Sequence, residues 1–186
     1  MKSFFALALP LLAAAAPAPI TEPRAEANPN FNVMAIRSAS PIHYSQLNAA
    51  GQKFWLGGKT SSYCPDIDGI QCPPGNQTVL ASGGNSLDVE VPGGQQVYVA
   101  PSGALSFTQA HSANIPPAPQ SAPWSHYTFN GWGASGFMAC PTEDNRWQVF
   151  VAMQNATVPQ GNVSDCLGFS AMALPYKGEV PAWQYA

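Results

Sequence analysis

Two carboxylates on one short segment are the best candidates for catalysis in this sequence. Residues 86–91, SLDVEV, alternate apolar and polar side chains, so Asp88 and Glu90 are predicted to share one face of a strand. Their backbones would lie about 6.8 Å apart at roughly 3.4 Å per residue. Inverting glycosidases hold their two carboxyl groups roughly 6.5–9.5 Å apart. Because any D-x-E strand gives this spacing, we interpret the pair as the solvated face of an antiparallel strand.

The histidines and the remaining acids match no catalytic or metal-binding pattern. His43, His111 and His126 are scattered along the chain, without the spacing of a metal site. The GASGF segment is one residue out of register for the G-x-S-x-G turn of serine hydrolases. The DIDG segment has the first acids of a calcium loop but lacks its third ligand and its final bidentate glutamate. We therefore predict no catalytic residue, no metal site and no cofactor, and a protein that is not an enzyme.

Two tryptophans are candidates for stacking on a sugar ring. Trp124 and Trp132 lie near segments rich in Pro, Gly and Ser, where an exposed aromatic side chain would have polar neighbours. Single exposed aromatics are also ordinary surface residues. A polysaccharide is the partner that such stacking would suit.

Three sequons predict N-glycosylation. They are Asn76-Gln-Thr, Asn155-Ala-Thr and Asn162-Val-Ser, and none has proline in the middle. In a secreted chain each of these asparagines is expected on the surface.

The beginning of the chain has the layout of a secretory signal peptide. Lys2 precedes an apolar run at residues 4–16 that ends in small alanines, which predicts residues 1–15 as the signal peptide. The run is too short for a bilayer span, which needs about 20 residues. Residues 16–30 are rich in Pro and Ala and read as a linker or pro-segment. The sequence thus predicts a secreted protein without a membrane anchor, in which residues 31–186 form one domain.

The composition is unusually poor in charge. Charged residues are 9% of the chain and the formal net charge is −3, against an ordinary charged share of about 25%. There is no basic patch, so nucleic acid is excluded as an expected partner. A surface of uncharged polar side chains is typical of proteins outside cells.

Four cysteines in such a chain predict two disulfides. Three connectivities are open, and we favour Cys64–Cys72 with Cys140–Cys166. The first pair brackets CPDIDGIQC, in which Pro65 helps the chain to turn back. Closing a loop this short should stabilise the fold by roughly 2–3 kcal/mol.

The predicted secondary structure around these residues consists of strands. Short alternating segments, among them FNVMAIRS, QKFWLGG, SLDVEV, QQVYVA, ALSFTQAH, HYTFNGW and RWQVFVAMQ, are separated by Gly- and Pro-rich turns. Residues 40–52 are the only helix candidate, and Gly51 would end that helix. We predict an all-β domain, a single antiparallel β-sandwich, with a β-trefoil or a closed β-barrel as the alternatives.

Long segments of the chain resemble the PhiA-type cell-wall proteins of filamentous fungi. They are QKFWLGGKTSSYC, VPGGQQVYVAPSGALSFTQAHS and RWQVFVA, together with the four cysteines, and the likeness runs from about Phe31 to Tyr185. The resemblance implies a mannoprotein of the fungal wall that is required for phialides and conidia, is secreted under stress and is a mould antigen. A wall protein would have a cell-wall polysaccharide as its partner. The resemblance supplies no catalytic residues.

Overall fold

The protein is built almost entirely of strands. The structure, a computed structural model, describes residues 29–117 and 134–186. Within these ranges the strands are β1 (Phe31–Ile36), β2 (Leu47–Ala50), β3 (Lys53–Leu56), β4 (Ser62–Tyr63), β5 (Val97–Val99), β6 (Leu105–Phe107), β7 (Ala134–Pro141), β8 (Trp147–Val151), β9 (Leu167–Pro175) and β10 (Gln184–Tyr185). The described part also holds a 3-10 turn at Val163–Asp165, and it contains no α-helix.

Eight strands form one large antiparallel sheet. Its order is β1-β9-β7-β8-β3-β6-β5, and β2 pairs with β3. The sheet curls, because β1 at one end comes back to β2, where an isolated bridge joins Met34 to Gln46. The described strands do not form a closed barrel. A small second sheet pairs β10 with β4. The prediction of an all-β, sandwich-like antiparallel domain is therefore confirmed.

The main core lies on the inner side of the curled sheet. In β1 every second residue is buried, as the two-residue period of a strand requires. The large side chains of the core include Val33, Phe54, Leu56, Phe107 and Phe137. Burying side chains of this size contributes roughly 1.5–3 kcal/mol each, so this cluster supplies most of the driving force for folding.

A smaller apolar cluster covers the other face of β7 and β8. It contains Ala104, Met138, Cys140 and Phe150. Residues 137–140 of β7 and 148–151 of β8 are consequently buried on both faces. This second layer makes the domain sandwich-like although most of its strands belong to one sheet.

Three local predictions need correction or fall outside the described residues. The segment 86–91 forms only isolated bridges, such as Leu80–Leu87, and no regular strand. The helix candidate at residues 40–52 is instead a turn followed by β2. Gly51 and Gln52 both have positive φ (61° and 58°), and they make the tight hairpin turn from β2 to β3. The predicted strand HYTFNGW lies outside the described residues.

The predicted signal peptide and the predicted linker also lie outside the described part, except for residues 29 and 30. Among the described residues no helix has the length and apolarity that a bilayer span demands.

Candidate functional site

Both disulfides have the connectivity favoured from the spacing. Cys64 is bonded to Cys72 and Cys140 to Cys166. The first closes an exposed loop, whereas Cys140 is fully buried in the smaller cluster. The second bond therefore ties the 3-10 turn segment to the core.

The two candidate catalytic acids have different surroundings. Asp88 is half-buried beside the Asn30 side chain. Desolvation raises the pKa of its carboxyl above the ordinary value, and the hydrogen bond from Asn30 opposes this only in part. Glu90 is exposed and lines a cleft of about 420 Å³ together with Glu179 and Tyr176, and Asp88 does not line that cleft.

The two histidines in the described part of the chain have roles in packing and in a turn. His43 stacks on Tyr44 with 3.8 Å between ring centroids, and its Nδ1 accepts a hydrogen bond from the Arg37 N–H. His111 occupies a turn with φ of 61°. In residues 29–117 and 134–186 no three potential ligands are grouped as a metal would require. His126 lies outside the described residues.

The sugar-stacking candidates Trp124 and Trp132 also fall outside the described part of the chain. Within it, the ring of Trp55 is covered by Arg146, whose guanidinium lies 4.0 Å from the ring centroid. Arg146 also binds Asp144 and holds the pKa of that carboxyl down at about 2. This tryptophan face is therefore already occupied by a cation.

A second cleft is lined only by polar residues and glycines, and we call it the polar cleft. Its volume is about 610 Å³. Three chain segments line it: the start of β2, the loop after β3, and a turn before Thr78. The lining residues are Ser45, Gln46, Asn48, Gly57, Gly58, Lys59, Thr60, Gly75 and Asn76.

A hydrogen-bond network fixes one side of the polar cleft. The Thr60 hydroxyl donates to Asn48 Oδ1 at 3.1 Å and lies 2.8 Å from the Thr78 hydroxyl. The Thr78 oxygen accepts from the Ala49 N–H at 2.7 Å, and this threonine is buried. These contacts hold the cleft segments in one arrangement, since each buried polar group has its partner.

The segment that carries Asn76 is anchored on both sides. The Gly75 N–H donates to Pro181 O at 2.8 Å. The buried Tyr185 hydroxyl donates to Gln77 O at 2.8 Å and accepts from the Val79 N–H at 3.1 Å. Burial raises the pKa of this phenol well above its ordinary value, so the hydroxyl keeps its proton and remains a donor.

A buried glutamine in turn positions Tyr185. Gln95 Nε2 donates to Thr108 O and to Tyr185 O, and its Oε1 accepts from the Tyr185 N–H at 2.8 Å. No motif in the sequence indicated roles for Gln95, Thr60 and Tyr185. The partners of Gln95 in β10 are 90 residues away, so the residues next to Gln95 in the sequence do not predict them.

All three sequon asparagines are exposed. Asn76 is on the wall of the polar cleft. Asn155 and Asn162 flank the smaller cluster, where the Asn162 N–H donates to an Asp165 carboxylate oxygen at 2.8 Å. Neither of these two lines the polar cleft.

Fold, disulfides and sequons together define a small, disulfide-bonded all-β protein of the secretory pathway. A sequence profile of the family described as PhiA-like secreted protein matches residues 31–186. The chain belongs to this family, as the resemblance of its segments indicated. It is therefore a secreted protein.

A similar chain is found in the fungus Arthroderma benhamiae. It is described as an uncharacterized secreted protein, and the two are 47% identical over 192 aligned positions, covering 97% of this chain and 96% of the relative. No solved structure matches the chain.

Proposed function

We propose that this protein is a non-enzymatic glycoprotein of the fungal cell wall that serves the development of phialides and conidia and protects against stress. The observation that carries the proposal is the nature of the surface. Three sequon asparagines are exposed on a chain with only 9% charged residues. Glycans at these positions would give the protein the polar, uncharged exterior that suits a matrix of polysaccharides.

The absence of a catalytic role is part of the proposal, and the surroundings of the two acids support it. An acid–base pair needs two carboxyl groups that face one substrate, with pKa values pushed apart. Asp88 is turned to Asn30, whereas Glu90 lines a separate cleft. This arrangement offers no shared site to which both groups contribute.

A polysaccharide-binding module is the second candidate, and the polar cleft favours it. Its amide and hydroxyl side chains are of the kind that hydrogen-bond to sugar hydroxyls. A module of this type would bind wall polymers without altering them.

The test is a pull-down on isolated fungal wall, chitin and β-glucan with a parallel assay for released sugars. Retention without release is the expected result. Release that disappears in an Asp88→Asn or a Glu90→Gln variant would instead establish a glycoside-active enzyme. The developmental role is tested by deleting the gene and counting conidia: fewer conidia and malformed phialides are expected, and normal counts would contradict that part of the proposal.

A further inference from the structure

We propose that Asn76 carries an N-glycan whose first sugar residues lie in the polar cleft, so that the protein covers this cleft with its own glycan. The inference rests on the glycoprotein state in the proposed function. It goes further by distinguishing one sequon from the other two, and it speaks against the polysaccharide-binding module, because the protein's own glycan would occupy the cleft that the module needs.

The position of Asn76 is the first argument. Its side chain is exposed and lines the polar cleft, so a sugar attached to its amide nitrogen begins at the cleft wall. The residues on both sides are fixed by the contacts of Gly75 with Pro181 and of Gln77 with Tyr185. A rigid attachment point directs the first sugar and lowers the conformational entropy lost when that sugar is held.

The chemistry of the lining is the second argument. Gln46 supplies an amide group, Ser45 supplies a hydroxyl, and the glycine pair after β3 leaves backbone exposed. The Asn48 amide and the Thr60 hydroxyl are already hydrogen-bonded within the cleft wall, where they hold its shape. None of the described lining residues is acidic, and Lys59 is the one cation among them. A neutral, hydroxyl- and acetamide-bearing ligand fits this lining, and a cleft of about 610 Å³ is within the usual range of about 300–1,000 Å³ for ligand sites.

The sequon hydroxyl gives the third argument. N-glycosylation requires Thr78 at this sequon, yet its hydroxyl is buried between the Ala49 N–H and Thr60. Attachment at Asn76 must therefore precede the folding of this segment, and the cleft then forms around a glycan that is already present. At the other two sequons the hydroxyl residues, Thr157 and Ser164, are exposed in the folded protein.

The experiment compares glycan release at the three sequons in one molecule. Full-length protein secreted by a fungal host is digested, without denaturation, by an endoglycosidase that cuts within the first sugar pair. Glycopeptide mass spectrometry then gives a rate for each site. The Asn76 glycan is expected to be released at least about tenfold more slowly than those at Asn155 and Asn162, which corresponds to a net interaction of about 1.4 kcal/mol. After denaturation the three rates should be equal.

A matched variant shows whether the cleft causes the protection. Gln46 and Lys59 are both exposed, so the double substitution Gln46→Ala, Lys59→Ala should leave the fold intact. It should raise the rate at Asn76 toward that of the other sites. A rate at Asn76 that already equals theirs in the native protein would overturn the inference.

The pattern of occupancy separates this inference from the proposed function. An unmodified Asn76 beside modified Asn155 and Asn162 would refute the seated glycan and leave the glycoprotein proposal standing. A protein without sugar at any sequon would refute both.

Discussion

Replacing Gln95 with leucine should be one of the most damaging single changes in this protein. The side chain is buried and makes three hydrogen bonds, to Thr108 O, Tyr185 O and the Tyr185 N–H. Leucine fills a similar volume but leaves these three backbone groups without the hydrogen bonds that the Gln95 amide makes. Each buried polar group left unpaired costs about 1–3 kcal/mol.

The sum of these costs would be about 3–9 kcal/mol, but single substitutions rarely exceed about 4–5 kcal/mol because the site relaxes. We therefore expect Gln95→Leu to lower the free energy of unfolding by about 3–5 kcal/mol. With a urea dependence of about 2 kcal/mol per molar, the unfolding midpoint would fall by roughly 1.5–2.5 M.

The neighbouring residue provides the control. Gln96 has the same side chain, and it is exposed. Gln96→Leu should change the free energy of unfolding by no more than about 0.5 kcal/mol. Urea unfolding of the disulfide-intact proteins, followed by tryptophan fluorescence, measures both variants. A loss below about 1 kcal/mol at Gln95, or equal losses at the two positions, would refute the assignment of Gln95 as the anchor of β10.

Three further changes test other parts of the structure. Gly75→Ala should destabilise by roughly 1–3 kcal/mol more than Gly93→Ala, because both positions have positive φ but only at Gly75 would the new methyl group meet a serine side chain; equal losses in urea unfolding would contradict this contact. Replacing Cys64 and Cys72 together with serine should cost about 2.5 kcal/mol, less than the roughly 3.5 kcal/mol expected for the other disulfide, because the loops span 8 and 26 residues; the opposite order would show that loop entropy does not dominate. Asp88→Asn should change the free energy of unfolding, relative to the parent protein, in a more stabilising direction at pH 7 than at pH 3. The raised pKa means that the folded protein binds this proton more tightly than the unfolded chain does, so the ionised carboxylate lowers stability once the pH rises above the unfolded value of 3.8. Unfolding measured at the two pH values checks the sign, and a smaller relative benefit at pH 7 would contradict the desolvation of this carboxyl.

Several features were predictable because their causes are local. The alternation of Phe31 and Val33 with polar neighbours fixes which face of β1 is buried. The two glycines between SLDVEV and QQVYVA, and the PSG turn before ALSFTQAH, predict reversals of the chain, and β5 and β6 form the expected hairpin. The short spacing between Cys64 and Cys72 favours their bond. In each case the decisive residues lie within about ten positions of one another.

Other features were decided by residues far apart in the chain. Pairing of β1 with β9 brings Phe31 opposite Pro175, and the return of β1 toward β2 makes a curled sheet where the sequence left sandwich, trefoil and barrel open. Asp88 and Glu90 are two positions apart, yet Asp88 is hydrogen-bonded to Asn30, whereas Glu90 lines a separate cleft. Their different environments come from elements that the local pattern does not specify.

The clearest contrast is between Gln95 and Gln96. The alternation of side chains in QQVYVA already implies that one of the two glutamines faces inward. It could not assign the inward glutamine a role, because its partners come from Thr108 and from Tyr185 in β10. Folding of the whole domain brings those backbone groups to the amide. The burial of this polar side chain depends on hydrogen bonds from distant chain segments, and the local sequence pattern does not predict those partners.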